Sequence, residues 1–141
     1  MPDPIRVILV DDQSLVRSGF RMLIESEDDM EVVAEASNGL EALDVLRRMP
    51  VDVALMDIRM PQMDGVEATR RITASPLDTK VLILTTFDLD EYVYAALKAG
   101  ASGFLLKDAR PTDLLRAIRN VAAGEAVVAP SATRRVLDHG V

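Results

Sequence analysis

Five polar side chains stand where apolar runs of the sequence end, and their types suit the chemistry of a phosphoryl group. The carboxylates Asp11 and Asp12 follow one run, and Asp57 follows another. Thr85 lies at the end of a third run, and Lys107 at the end of a fourth. If these runs are parallel strands, their carboxyl ends meet at one edge of a sheet, which is where ligands of open α/β sheets bind.

Three carboxylates at one edge repel each other, and without compensation their pKa values would rise. A divalent cation removes this repulsion, and a cluster with only oxygen ligands favours Mg²⁺. An ammonium group at Lys107 and a hydroxyl group at Thr85 would complete the set that binds a phosphoryl group. The nucleophile would be a carboxylate, and we expect it to be Asp57, which follows a strand that should lie centrally beside the first.

The apolar runs that position these residues are typical of strands covered on both faces. Longer segments with helical periodicity separate them, so the sequence alternates strand and helix five times. This alternation predicts an α/β fold with a parallel sheet, right-handed connections and helices on both faces. The predicted strands are Ile5–Val10, Glu31–Ala36, Val51–Asp57, Lys80–Thr86 and Gly103–Lys107.

Local signals mark where several of the helices begin and end. Asn38 followed by glycine should start the second helix, and Asp64 should cap the third. Gly100 is placed to end the fourth helix, and Pro111 to open the fifth in its first turn. These boundaries leave the candidate residues in the loops that follow the strands.

Composition excludes several classes of function. The 141 residues suit one domain, and a formal net charge of −7 makes the chain a poor ligand for nucleic-acid phosphates. The absence of cysteine excludes disulfides and thiolate metal sites. The apolar stretch at the N-terminus is too short for a signal peptide or a membrane span, so we expect a cytoplasmic protein.

Four ordered motifs, which span most of residues 4–124, resemble the receiver domain of bacterial response regulators in two-component systems. The residues within these motifs are similar to those of the NarL/FixJ subfamily. The motifs are VDDQ (Val10–Gln13), MDIRMPQMDG (Met56–Gly65), LTTFD (Leu84–Asp88) and GASGFLLKD (Gly100–Asp108). The resemblance implies the flavodoxin-like (βα)₅ fold, with a five-stranded sheet in the order 2-1-3-4-5.

The resemblance also assigns roles to single residues. Asp57 would accept phosphate from the phosphohistidine of a sensor histidine kinase. Asp12, Asp57 and the backbone carbonyl of Arg59 would bind Mg²⁺ directly, whereas Asp11 would act largely through water. Thr85 and Lys107 would hold the phosphoryl oxygens.

A switch is expected to follow phosphorylation. Thr85 would move toward the phosphoryl group, and Phe104, at the place of the switch aromatic, would turn inward to fill the vacated space. We also expect a homodimer through the first and fifth helices, strengthened by phosphorylation. The residues expected on the dimer surface are Leu15, Leu115, Ile118, Val121 and Ala122. A face built from the fourth helix, fifth strand and fifth helix is the runner-up, and a monomer is the third possibility.

Residues 1–124 are predicted to form the receiver domain and residues 125–141 a linker with one short helix. Members of the subfamily carry a C-terminal LuxR-type helix-turn-helix domain, and nothing in residues 125–141 resembles it. We therefore expect the chain to be the receiver part of a transcription factor that binds DNA only through a domain absent from this sequence. A natural stand-alone receiver is the alternative.

Two other functions compete with a phosphorylation switch that forms and slowly hydrolyses its own aspartyl phosphate. A pseudo-receiver would bind partners without taking phosphate, but the acidic trio, Thr85 and Lys107 argue against it. A phosphatase with an aspartate nucleophile would use an Asp-x-Asp motif, whereas Arg59 stands two residues after Asp57. We therefore do not expect a turnover enzyme.

Overall fold

The computed structural model of the chain describes residues 3–86, 90–125 and 127–128. Its sheet is parallel throughout, with the strand order β2-β1-β3-β4-β5-β6. The predicted order 2-1-3-4-5 is thus confirmed. The strands are β1 (Ile5–Val10), β2 (Met30–Ala36), β3 (Val53–Met56), β4 (Lys80–Thr85), β5 (Gly103–Leu106) and β6 (Val127–Val128).

A sixth strand that was not predicted extends the five-stranded sheet at the edge of β5. β6 pairs with β5 through the register Gly103 to Val127 and Phe104 to Val128. Two valines with β propensity can cover the backbone groups that the edge of β5 would otherwise leave unpaired. The short helix predicted further along the tail lies outside the described residues.

Five helices connect the strands and cover both faces of the sheet. They are α1 (Ser14–Glu25), α2 (Gly39–Arg48), α3 (Gly65–Thr73), α4 (Asp90–Lys98) and α5 (Pro111–Ala122). Buried residues of α2, α3 and α4 pack with Ile8, Val10 and Met56 on one face. Those of α1 and α5 pack with Val7 and Leu9 on the other. Alternate residues of β1 therefore support opposite layers, as the strand period of two requires.

The local signals for helix boundaries are confirmed. Asn38 accepts a hydrogen bond from the Glu41 backbone amide at 2.9 Å, and Asp64 accepts one from the Glu67 amide at 2.9 Å. Each such cap is worth about 1 kcal/mol of stability. Pro111 occupies the first turn of α5, and Gly100 has a φ of +106° just after α4. No helix among the described residues is both long and apolar enough to cross a membrane.

The packing of α5 corrects the predicted dimer surface. Ile118 and Val121 are fully buried and Leu115 is 8% exposed, because the apolar face of α5 covers the sheet. These three side chains therefore cannot offer a surface to a second molecule in this conformation. Leu15 is 84% exposed and Ala122 is also exposed, so of the five predicted residues only these two are accessible.

Candidate functional site

The three carboxylates predicted to form a cluster do meet at the carboxyl edge of the sheet. β1 and β3 are neighbours with Val10 opposite Met56, so the residues that follow these strands are brought side by side. Asp11, Asp12 and Asp57 each offer an oxygen atom, and these atoms all lie within 4.8 Å of one another. Asp11 and Asp57 are buried, and Asp12 is exposed. A set of three carboxylate oxygens at this spacing fits a divalent cation that prefers oxygen ligands.

Backbone hydrogen bonds hold the two buried carboxylates in place. The Asp57 amide donates to the Val10 carbonyl at 2.9 Å, and one Asp57 carboxylate oxygen accepts from the Ile58 amide at 2.8 Å. The Asp11 amide donates to the Ala36 carbonyl at 3.0 Å, and its carboxylate accepts from the Gln13 amide at 2.9 Å. These hydrogen bonds fix the positions of Asp11 and Asp57 and engage one carboxylate oxygen of each. The second oxygen of each carboxylate faces the site.

Lys107 supplies the positive charge that these second oxygens share. Its ammonium nitrogen lies 2.6 Å from Oδ2 of Asp11 and 3.2 Å from Oδ2 of Asp57. The Lys107 amide donates to the Thr85 carbonyl at 2.7 Å, which ties the end of β5 to the end of β4. One ammonium group therefore bridges two buried carboxylates at the carboxyl edge of the sheet.

The pKa values of this pair show what burial and charge do here. Burial raises the pKa of Asp57, the charge of Asp11 raises it further, and the attraction of Lys107 opposes both without cancelling them. Burial lowers the pKa of Lys107, but its hydrogen bond to Asp11 and the charges of Asp57 and Asp11 together raise it. Folding thus disfavours the charged form of Asp57 and favours the charged form of Lys107.

A cleft of about 200 Å³ opens above this cluster. Thr85, which is 7% exposed, contributes to its wall beside Asp57 and Lys107, as predicted. The predicted site residues Asp12, Asp57, Thr85 and Lys107 therefore line one cavity, and Asp11 reaches it through Lys107. The full lining is Asp12, Gln13, Asp57, Ile58, Arg59, Thr85, Thr86, Tyr92 and Lys107.

Gly65 allows the start of α3 to lie very close to the backbone of Asp57. The Gly65 amide donates to the Ile58 carbonyl at 2.8 Å, and a Cβ atom at Gly65 would lie 2.0 Å from the Asp57 carbonyl oxygen. No side chain fits in that space. The glycine therefore lets the start of α3 press directly against the backbone of Asp57.

Phe104 of β5 lies in the interior of the domain. Its side chain is fully buried and packs in the same apolar cluster as Ile83, Val93 and Ala96. Burial of so large an apolar ring favours this position by itself. A movement of this ring on phosphorylation stays a prediction.

Three residues at the site escaped the sequence analysis. The side chain of Arg59 lines the cleft and contacts Tyr92 of α4, whereas only its carbonyl had been considered. Arg17 of α1 donates hydrogen bonds to the Asp11 carbonyl at 2.5 Å and to the Glu35 carboxylate at 2.8 Å. These bonds link α1 to the backbone of Asp11 and to β2. The position of Arg59, two residues after Asp57, is a sequence signal that could have identified its side chain as part of the site. Neither Tyr92 nor Arg17 carries such a signal, because tertiary packing brings them to the site.

Comparison with known proteins agrees with this geometry. The response regulator receiver domain family matches residues 7–119. An uncharacterised transcriptional regulatory protein of Bacillus subtilis, YxjL, is 48% identical over 125 residues, which cover 89% of this chain and 57% of that protein. The chain thus spans a little over half the length of this curated relative.

Two solved structures show the same architecture. A LuxR-family two-component response regulator from Aurantimonas is 34% identical with a TM-score of 0.89, and the match covers 98% of this chain and 99% of that one. The signal receiver domain of the putative response regulator NarL from Mycobacterium tuberculosis is 38% identical with a TM-score of 0.85, and the match covers 88% of this chain and all of that one.

Proposed function

This chain belongs to the family of response regulator receiver domains, and from that premise we propose that Asp57 accepts a phosphoryl group from the phosphohistidine of a sensor histidine kinase. The observation that carries the proposal is the bridge from Lys107 to both Asp57 and Asp11, in a cleft that Thr85 also lines. That cleft offers a buried nucleophile and two donors to one tetrahedral group. Phosphoryl transfer requires chiefly such positioning and neutralisation of charge.

The transfer is a displacement at phosphorus. The free carboxylate oxygen of Asp57 forms the new O–P bond while the N–P bond of the phosphohistidine breaks, and the leaving imidazole takes up a proton. Lys107, which already contacts Asp57, would shift its positive charge to the incoming phosphoryl oxygens, and the hydroxyl of Thr85 would donate a hydrogen bond to one of them. Preorganised donors of this kind stabilise charge most where water is excluded.

Mg²⁺ is the cation we propose for the acidic cluster. Asp12 and Asp57 would hold it through carboxylate oxygens together with the Arg59 carbonyl, and Asp11 would act largely through water. The ion would neutralise charge on the phosphoryl oxygens. The support from this chain is that the three carboxylates already converge within 4.8 Å. Because few protein ligands hold the ion, we expect weak binding.

Incubation with acetyl phosphate and Mg²⁺, followed by intact mass measurement, tests the proposal. We expect one phosphoryl adduct on the unsubstituted chain and none on Asp57→Asn. Asp12→Ala should need more Mg²⁺ to reach the same yield. Asp78→Asn, an exposed carboxylate that does not line the cleft, is the matched control and should react normally.

The outcomes separate the competing functions. Absence of an adduct on the unsubstituted chain would indicate a pseudo-receiver, and continuous release of phosphate would indicate a phosphatase. A single adduct that persists on Asp57→Asn at the original rate would show that another residue is the acceptor.

We propose control of transcription in the cytoplasm as the output, exerted through a helix-turn-helix domain that binds DNA. The support is the name of the Bacillus relative as a transcriptional regulatory protein and of the Aurantimonas structure as a LuxR-family regulator. In cells, Asp57→Asn in the complete gene should abolish the response of the target promoters to the kinase. Thr85→Ala should still accept phosphate but activate poorly, because the hydroxyl is the proposed link between the phosphoryl group and the output.

A homodimer through α1 and α5 remains the assembly we propose. Leu15 and Met22 of α1 are 84% and 77% exposed, which leaves two large apolar side chains on one helix in water. Sedimentation with and without the phosphoryl mimic beryllofluoride should show a larger mass with the mimic. Leu15→Glu should prevent this increase, and a dimer that tolerates this substitution would place the interface elsewhere.

A further inference from the structure

Arg59 and Tyr92 form a bridge across the rim of the cleft. The Arg59 guanidinium donates a hydrogen bond to the Tyr92 hydroxyl at 3.1 Å, and its central carbon lies 5.1 Å from the centre of the Tyr92 ring. Arg59 is on the loop after β3, and Tyr92 is in the first turn of α4. Both side chains line the same cleft as Asp57.

The partner of Arg59 is neutral, which distinguishes it from the other cation of the cleft. Lys107 is bound to two carboxylates. Arg70 and Arg71, on the following helix, both pair with Glu67. Within the described residues Arg59 makes no such ion pair, although it lines the same cleft as Asp12 and Asp57. No carboxylate of the described part of the chain therefore neutralises its charge at the rim.

We infer that Tyr92 is a positioning residue that holds the Arg59 guanidinium in reserve at the rim of the cleft, and that Arg59 leaves Tyr92 for the phosphoryl oxygens when Asp57 is phosphorylated. The inference rests on the proposed function of Asp57. It adds a second cation to the site and makes the start of α4 a sensor of the phosphoryl group.

The exchange follows from the relative strength of the two partners. A phosphoryl group on Asp57 carries up to two negative charges and three strong acceptor oxygens. A guanidinium can form two parallel hydrogen bonds to the oxygens of a phosphoryl group, with opposite charge on the partner, whereas a neutral hydroxyl accepts one. A neutral phenol hydroxyl and an aromatic face hold an exposed guanidinium only weakly. Arg59 should therefore bind the phosphoryl group in preference to Tyr92, and Tyr92 should lose its contact with Arg59.

Tyrosine fluorescence provides a direct readout, because the chain has two tyrosines and no tryptophan. In a Tyr94→Phe background, Tyr92 is the single emitting tyrosine. Mg²⁺ with beryllofluoride should change its emission as the guanidinium moves away. Arg59→Met in the same background should remove most of this change. An equal change in both proteins would overturn the inference.

Affinity for beryllofluoride in the presence of Mg²⁺ gives the second readout. Arg59→Met should weaken binding about tenfold, the loss expected for a charge-assisted hydrogen bond. Tyr92→Leu should strengthen it about two- to fivefold, because the contact that Arg59 must break on binding is then already absent. Tyr92→Phe keeps the ring but not the hydroxyl group and should show a smaller gain. Tyr94→Phe, on the same helix but outside the lining of the cleft, is the control and should bind normally.

Two results separate this inference from the function on which it rests. If the unsubstituted chain binds no beryllofluoride, the proposed function fails and the inference fails with it. If the unsubstituted chain binds the mimic and Arg59→Met binds it equally well, only the role of Arg59 and Tyr92 is overturned. The melting temperature of each variant verifies that the exposed substitutions leave the fold intact.

Discussion

The two edges of the sheet use the same kinds of charged side chain in opposite ways. At the amino edge, Arg6 makes hydrogen bonds to both carboxylate oxygens of Asp52, and Arg119 of α5 pairs with Glu27 and Asp29. Asp52, Glu27 and Asp29 thus each have a guanidinium partner. At the carboxyl edge three carboxylates lie together, and the ammonium group of Lys107 pairs with two of them, Asp11 and Asp57.

The pKa values follow this difference. The hydrogen bond from Arg119 lowers the pKa of Asp29. Burial works to raise the pKa of Asp52, but the hydrogen bonds and charge of Arg6 outweigh it and lower the pKa. At the other edge burial prevails and the pKa of Asp57 rises. The ion pairs at the amino edge thus favour the charged carboxylates in the fold, whereas the carboxyl edge holds more negative charge than Lys107 balances.

The largest expected effect comes from closing the space beside Asp57. Gly65→Ala should lower the free energy of unfolding by about 3 kcal/mol, because the new methyl group collides with the Asp57 backbone. Gly19→Ala is the control: its Cβ would meet nothing within 4 Å in α1, so it should stabilise by about 0.5–1 kcal/mol. Urea unfolding measures the change in free energy for both substitutions. An equal effect would show that the space beside Asp57 can accommodate a methyl group.

Removal of the shared cation should have the next largest effect. Lys107→Met leaves Asp11 and Asp57 without their ammonium partner, so we expect a loss of about 2 kcal/mol in unfolding free energy. Added Mg²⁺ should restore part of it by binding the folded state. Asp52→Asn at the amino edge should lose less and should not respond to Mg²⁺. A larger loss for Asp52→Asn would reverse the comparison between the edges.

Neutralising the acceptor should stabilise the protein. Because the pKa of Asp57 is raised by folding, its protonated form contributes stability that is present below the unfolded pKa of about 3.9 and is lost as pH rises through the folded pKa. Asp57→Asn should therefore melt a few degrees higher at neutral pH, and the gain should disappear near pH 3. A lower melting temperature at neutral pH would show that Lys107 dominates over burial.

The smallest expected effect lies at the amino edge and has the opposite dependence on pH. The lowered pKa of Asp29 means that its ion pair contributes stability above the unfolded pKa and loses it as pH falls through the folded pKa. Arg119→Met should cost at most about 1 kcal/mol at neutral pH, because the pair is largely exposed. The difference should shrink in high salt and in acid, as melting curves would show. A loss of stability that persists in acid would indicate that Arg119 stabilises the fold through packing of its side chain and not through its charge.

Residue type and spacing were sufficient to predict the alternating strands and helices and the convergence of Asp11, Asp12, Asp57, Thr85 and Lys107, whereas the order of the strands in the sheet was implied by the resemblance to receiver domains. The reason is local: apolar periodicity determines which segments become strands, and parallel strands place their following residues at one edge. The glycine after Asp64 belonged to a recognised motif, but only the structure shows that it excludes a side chain from the Asp57 backbone.

Tertiary packing decided what side-chain type could not. Ile118 and Phe104 could face a partner or the interior, and their burial depends on the layers that close over them. The sixth strand formed because the free edge of β5 was available to two valines beyond α5. Arg59 meets Tyr92 across 33 positions of the chain, a distance over which sequence pattern carries no information about contact. Such long-range pairs depend on how elements pack in space, which no local periodicity encodes.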